Sequence, residues 1–335
     1  MRPPRIAFVS STKSSFIEID RTFLADNYPL RSVLWRGKRS IPALISAIAR
    51  CDVVFAWFAL DHAYGACRVA RTFGRKSVVV VGGVDAARRP DLGYGVYLQP
   101  RQAARSRYAV LHADRVLVVD DFLREELARN AGVRRREIVT VPTGFDVDRF
   151  TPDNGARTNV LTVGAVVDAN VRRKGLETFV RTAAYHPDLP FVLVGGRPNE
   201  ATVRLRRMAT PNVRILPIVS EAELLEQYRR ARVYVQASLY EGLPNALGEA
   251  MACGCIPVGT RVAGIPTLMG DAGYYVPEED PAATADAIRQ AFDRGNGEAA
   301  RNRIVGGFTI QRRQAALRET IDRLAAGADP RPRTT

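Results

Sequence analysis

Apolar residues occur along this chain in short unbroken runs, separated by longer stretches in which apolar and polar positions recur at helical spacing. In the first half the runs are RIAFVS (5–10), DVVFAWF (52–58), SVVVVG (77–82), RVLVVD (115–120) and EIVTVP (137–142). In the second they are NVLTVG (159–164), FVLVGG (191–196), NVRILP (212–217), RVYVQA (232–237), CIPVGT (255–260) and GYYVP (273–277). A strand that is apolar at every position is covered on both faces, and such strands alternating with helices make parallel sheets with crossover helices. The same rhythm twice predicts an α/β protein of two doubly wound domains. Helices are expected at IPALISAIAR (41–50), at DFLREELARNAG (121–132), with its acidic start and glycine stop, and at IQRRQAALRETIDRLAAG (310–327).

The polar segment RFTPDNGART (149–158) is the best boundary, because few apolar residues cross it. It predicts domains at residues 1–150 and 151–309. A C-terminal segment, 310–335, follows; its helix can pack back on the first domain, and its tail, ADPRPRTT, reads as disordered. In open α/β sheets ligands sit beyond the carboxyl ends of the strands. Two such domains facing one another would define a cleft.

Composition and charge narrow the class. With 335 residues, 46% hydrophobic and 25% charged, the chain can bury two cores. No apolar run approaches the ~20 residues of a membrane span, and the N-terminal apolar stretch is too short for a signal peptide, so a cytoplasmic protein is expected. The cysteines (Cys51, Cys67, Cys253, Cys255) form no CxxC pair, which points to neither a disulfide framework nor a structural metal. The net charge of +14 is uneven: residues 1–150 carry 25 Lys and Arg against 15 Asp and Glu, and the remainder 24 against 20. An excess of this kind suits an anionic membrane surface, here the inner face of the cell membrane, or an anionic lipid-linked acceptor; arginine-rich solvated surface explains it equally. No nucleic-acid partner is expected, because the cations are not interleaved with aromatic residues.

The stretch EGLPNALGEAMACGCIPVGT (241–260) places Glu241 and Glu249 on either side of a Gly-Leu-Pro turn. Pro244 suits the first position of a helix, where its missing N–H costs nothing. The amides around Gly242, Leu243, Pro244 and Asn245 would then point toward a bound anion along the positive end of the helix dipole, and a diphosphate fits. Gly242 lets the backbone approach such a ligand. Glu249, farther along the helix, can accept from both hydroxyls of a ribose. A solvated helix start that happens to carry two acids is the plain alternative.

These residues, with ADRVLVVDDFLREEL, VPTGFDVDRF, VLTVGAVVDANVRRKGLETFV and GIPTLMGDAGYYVP, resemble the retaining, nucleotide-sugar-dependent glycosyltransferases of the GT-B fold, closest to family 4. The resemblance implies two Rossmann-like domains, a UDP- or GDP-linked sugar donor, a glycan or lipid-linked acceptor, and no metal or other cofactor. It places Glu241 on the hydroxyls of the donor sugar, Glu249 on the ribose and Lys174 on the diphosphate. Gly164 falls at the end of the first strand of the second domain. The arginine usual after that glycine is Ala165 here, which leaves Arg172 or Arg173 as the second cation; Arg173 is chosen for its adjacency to Lys174. A leaving diphosphate gains charge as the glycosidic bond breaks, so cations aimed at it stabilise the transition state.

The first domain departs from the family's pattern. Its first loop reads SSTKSSF in place of a glycine-rich turn, and Gly82 stands where many relatives carry a histidine. Asp85 is then the acceptor-side candidate. His62, after Asp61, is open to two readings: lining the cleft or ordering a helix start. The DVD at 146–148 resembles a metal-binding motif of another fold, but Asp146 fits a turn after Gly144 better. Base contacts are expected from backbone near Pro217 to Val219. Two other roles remain for this fold: a sugar-nucleotide-binding scaffold without catalysis, and a phosphorylase.

Overall fold

In the computed structural model, which describes residues 2–327, the chain divides into two units. One runs to Thr143 and resumes at Gln311; the other is Gly144–Ile310. The polar segment 149–158 therefore lies inside the second unit, and the division comes earlier than its composition suggests. The ADPRPRTT tail lies outside the described residues.

The first unit is a six-stranded parallel sheet of β1 (Ile6–Ser10), β2 (Leu30–Leu34), β3 (Val53–Trp57), β4 (Lys76–Val81), β5 (Arg115–Val118) and β6 (Ile138–Thr140), ordered β2-β1-β3-β4-β5-β6. Its helices are α1 (Ser15–Asn27), α2 (Ile41–Ala49), α3 (Asp61–Thr72), α4 (Pro100–His112) and α5 (Asp121–Glu126). The last continues as a π-helical turn to Ala131 and stops at Gly132, whose φ of 65° is left-handed. β1 and β3 are buried at every position, as unbroken apolar runs require.

The second unit repeats the plan with β7 (Asn159–Val163), β8 (Phe191–Gly196), β9 (Val213–Pro217), β10 (Ala231–Gln236), β11 (Ile256–Thr260) and β12 (Tyr274–Val276), ordered β12-β11-β10-β7-β8-β9. Around it stand α6 (Asp168–Val171), α7 (Leu176–Thr182), α8 (Glu200–Met208), α9 (Glu221–Arg230), α10 (Asn245–Ala252), α11 (Ile265–Met269), α12 (Pro281–Arg294) and α13 (Gly297–Gly307). Phe179, Phe191, Leu193, Val233 and Val258 are among its fully buried core residues.

The C-terminal helix, α14 (Ile310–Ala325), is joined to the first unit by a buried ion pair. Arg313 donates from Nε and Nη2 to the two oxygens of Asp20, at 2.7 and 2.6 Å, and from Nη1 to the carbonyls of Val141 and Pro142. Trp57 Nε1 donates to the same carboxylate at 2.8 Å. Both Asp20 oxygens are thus engaged, which is what lets a carboxylate sit at 1% exposure.

Candidate functional site

In the second unit the strand order reverses at β7: β8 and β9 lie on one side, β10 to β12 on the other. In open α/β sheets the loops leaving neighbouring strands at such a reversal are the place where ligands sit. Here they are the loop from Gly164 to Gly175, leaving β7, and the loop from Ala237 to Pro244, leaving β10.

The two loops meet through small residues. Gly175 has a φ of 62°, and a Cβ there would strike the carbonyl of Ala237. Gly164 leaves room for the stem of Lys174, whose Cδ lies 3.0 Å from where a Cβ would be. Lys174 Nζ consequently donates to Glu241 Oε1 at 2.7 Å. The same oxygen accepts from Ser238 Oγ at 3.1 Å and from Gln236 Nε2 at 3.4 Å. Burial acts to raise the Glu241 pKa, but the charges of Lys174 and then Arg173 reverse the effect and hold it below the usual glutamate range.

Arg173 sits differently from its expected role. Only 8% exposed, it donates from Nη1 to the Tyr240 carbonyl at 3.1 Å and from Nη2 to Asn170 Oδ1 at 2.7 Å, while its own carbonyl accepts from Leu239 N–H. Its guanidinium stands 3.7 Å from Glu241 Oε2. Arg173 therefore fastens one loop to the other. Arg172 pairs with Glu279 on the surface at 2.8 Å.

The helix after the turn begins one residue later than expected. Pro244 is the N-cap of α10, with an extended ψ of 104°, and Asn245 is the first helical residue. Leu243 and Pro244 are buried and Gly242 is half-buried. No side chain caps the helix, so the first-turn amides are available to an external acceptor. Glu249 is half-buried and accepts from Tyr228 Oη at 2.8 Å. Burial pushes its carboxyl up to about 7, against the pull of the Tyr228 hydroxyl and of Arg149.

The first unit corrects the acceptor-side expectations. Asp85 has no exposed surface: Oδ2 accepts from Ala59 N–H at 2.7 Å, and Oδ1 from the amides of Gly82 and Gly83 at 3.0 and 2.9 Å. Burial raises its pKa to about 6 despite these bonds. It ties two loops together, and both of its oxygens face main-chain amides. At Gly82 a Cβ would come within 2.5 Å of the Phe58 ring, so Phe58, in the left-handed region at φ 67°, fills the space a larger residue would need. His62 is 1% exposed and donates from Nε2 to the Trp57 carbonyl at 2.5 Å; burial depresses its pKa and keeps it neutral.

The strand order of this unit reverses at β1, between β2 and β3. Beyond that point Ser11, Trp35, Leu60, Asp61 and Gln102 line a cavity of about 280 Å³, with His62 at its wall. Asp61 is paired there with Arg105 at 2.6 Å. Sequence reading passed over Trp35 and Gln102 because neither stands in a motif; only the topology brings them beside the first loop.

Two doubly wound units, one carrying a Lys-Glu pair beside an uncapped helix start at its topological switch, define a two-domain Rossmann-like α/β class. Residues 157–294 match the family described as "Glycosyl transferases group 1", and residues 7–149 match "Glycosyltransferase Family 4". The chain belongs to the group 1, family 4 type of GT-B glycosyltransferase. It is 25% identical over 187 residues to the phosphatidylinositol N-acetylglucosaminyltransferase gpi3 subunit of Schizosaccharomyces pombe, covering 53% of this chain and 41% of that one. It is 32% identical over 243 residues to D-inositol 3-phosphate glycosyltransferase of Geodermatophilus obscurus, covering 65% and 52%. The chain thus spans about half the length of these curated relatives. Among solved structures, Anabaena HepE in complex with UDP and glucose superposes with a TM-score of 0.79 at 14% identity, over 95% of this chain and 99% of that one.

Proposed function

We propose that the chain transfers a sugar from a nucleoside diphosphate donor to a lipid-linked or oligosaccharide acceptor, with retention at the anomeric carbon and without a metal. The observation that carries this reading is the Lys174–Glu241 pair, 2.7 Å apart beside the uncapped start of α10. In this reading the α10 amides hold the diphosphate, Glu249 the ribose and Glu241 a sugar hydroxyl, while Lys174 turns from Glu241 toward the leaving phosphate. The bond from the anomeric carbon to the phosphate oxygen breaks, the acceptor oxygen bonds to the same face, and its proton passes to the departing diphosphate. No protein base is required, which agrees with Asp85 and His62 both serving as buried ties. Lys174 and the helix dipole supply positive charge at the leaving group. HepE is named in complex with UDP and glucose, and the curated relatives' names contain inositol phosphates, so UDP-sugars and inositol-phosphate acceptors are the first to try.

The test is release of nucleoside diphosphate from UDP- and GDP-sugars, with phosphatidylinositol or inositol phosphate as acceptor, in the presence of a chelator. The anomeric configuration of the product is read by NMR. Turnover with an α-linked product from an α-linked donor supports the reading; an inverted product or a chelator-sensitive rate refutes the corresponding part. The buried state of Asp85 and His62 also suits a scaffold that binds sugar nucleotides, and donor binding with no turnover on any acceptor would select that alternative.

A further inference from the structure

Residues 27–51 contain five cations (Arg31, Arg36, Lys38, Arg39 and Arg50) and no acid. Within them α2, IPALISAIA, has no charged residue. Its inner face, Leu44, Ala47 and Ile48, is buried in the first unit. A surface helix ordinarily turns polar residues outward. Here Ile41 and Ile45, one turn apart, are 41% and 40% exposed. The loop leading into the helix exposes Arg36, Lys38 and Arg39, and Arg50 is exposed at its C-cap. A groove of about 750 Å³ adjoins this face, with Trp35 and Val69 among its apolar lining and Arg68 and Arg101 among its cations.

An apolar wedge ringed by cations complements one kind of surface, apolar beneath and anionic at its headgroups. A second copy of the chain fits poorly, because a two-fold pairing of this face would bring its cations against their own copies. Among the described residues no helix is long and apolar enough to cross a membrane, so the contact would be superficial. We propose that α2 and its leading loop seat the chain on an anionic phospholipid surface, with Ile41 and Ile45 at the boundary of headgroups and acyl chains and Arg36, Lys38 and Arg39 on lipid phosphates. This does not depend on the transferase reading, since vesicle binding needs no sugar donor.

The experiment is co-sedimentation of the full chain with vesicles of phosphatidylcholine alone and of equal parts phosphatidylcholine and phosphatidylglycerol. Binding to the mixed vesicles only, weakening as salt rises, is expected. Lys38→Ala with Arg39→Ala should lower partitioning roughly thirtyfold, about fivefold per cation. Ile41→Ser with Ile45→Ser should lower it by about tenfold. Lys38 and Arg39 are exposed, so the melting temperature of that variant should match that of the parent; Ile41 and Ile45 are still more than half covered, so the isoleucine variant is compared at a temperature where circular dichroism shows it fully folded. Arg134→Ala with Arg136→Ala, elsewhere on the first unit, should bind as the parent does. Equal binding to both vesicles, no binding, an equal loss in the Arg134 and Arg136 control, or no loss in the α2 variants would each overturn the proposal. So would a dimer that the isoleucine variant dissociates while vesicles stay unbound.

Discussion

If Glu249 holds the donor's ribose as proposed, its carboxyl makes donor affinity a function of pH. Burial holds its pKa at about 7, and Tyr228 already donates to one of its oxygens. The ionised form accepts from ribose hydroxyls with both oxygens and more strongly than the protonated form, which turns one oxygen into a donor, so affinity should follow the ionised fraction. That fraction is about one-eleventh one unit below the pKa and ten-elevenths one unit above, so affinity should rise roughly tenfold from pH 6 to pH 8, about 1.4 kcal/mol. A nucleoside diphosphate-sugar has no phosphate proton that titrates near neutrality, so the donor itself contributes no slope. Isothermal titration with UDP- or GDP-sugar across this range measures the effect. Glu249→Gln should flatten the profile, and Tyr228→Phe, by removing a bond that favours the carboxylate, should move the midpoint upward. Stability without donor runs the opposite way. The folded pKa lies above the unfolded one, so the group's contribution is complete below about 4.5 and is lost as pH rises through about 7. A flat parent profile, or an equal slope in Glu249→Gln, would refute the assignment of Glu249 to the ribose.

Lys174→Ala should reduce turnover by about 10²- to 10³-fold and donor affinity by much less, because the charge it meets develops as the bond breaks; steady-state kinetics beside titration separates the two. Arg313→Ala should destabilise the first unit by about 3–5 kcal/mol, since it leaves the Asp20 carboxylate buried and unpaired, and urea unfolding measures it. Asp85→Ala strands two buried amides and a half-buried one and should cost at least ~2 kcal/mol, with turnover per folded molecule retained. A collapse of turnover at unchanged stability would return Asp85 to the chemistry.

Burial explains which strands were legible. Strands covered on both faces announce themselves as apolar runs, and β1, β3 and β4 lie close to where those runs predict. β2 gives no such signal. It is an edge strand in LRSVL with only Val33 buried, so its composition is that of a loop and it is strand only by pairing with β1. The helix start at Pro244 was misplaced by one residue for a similar reason: proline fixes φ but leaves ψ to its surroundings, and here ψ is extended.

The site residues divide along another line. The family resemblance singles out Lys174 and Glu241, and the structure pairs them at 2.7 Å. Arg173 and Asp85 are singled out only by adjacency and by elimination, and a charged residue that holds backbone together looks the same in sequence as one that meets a ligand. What separates them is the count of internal partners. Both Asp85 oxygens are taken by main-chain amides, and Arg173 is held by Tyr240 and Asn170. Lys174, by contrast, holds a single carboxylate, an arrangement that the diphosphate of the proposed donor can replace at little cost, because it brings Lys174 equivalent negative charge and offers Glu241 sugar hydroxyls in exchange. If that exchange operates, Ser238 and Gln236 keep Glu241 in place while its cation leaves. Ser238→Ala should then raise KM for the donor more than it lowers kcat, and an effect confined to kcat would show that the pair does not open in this way.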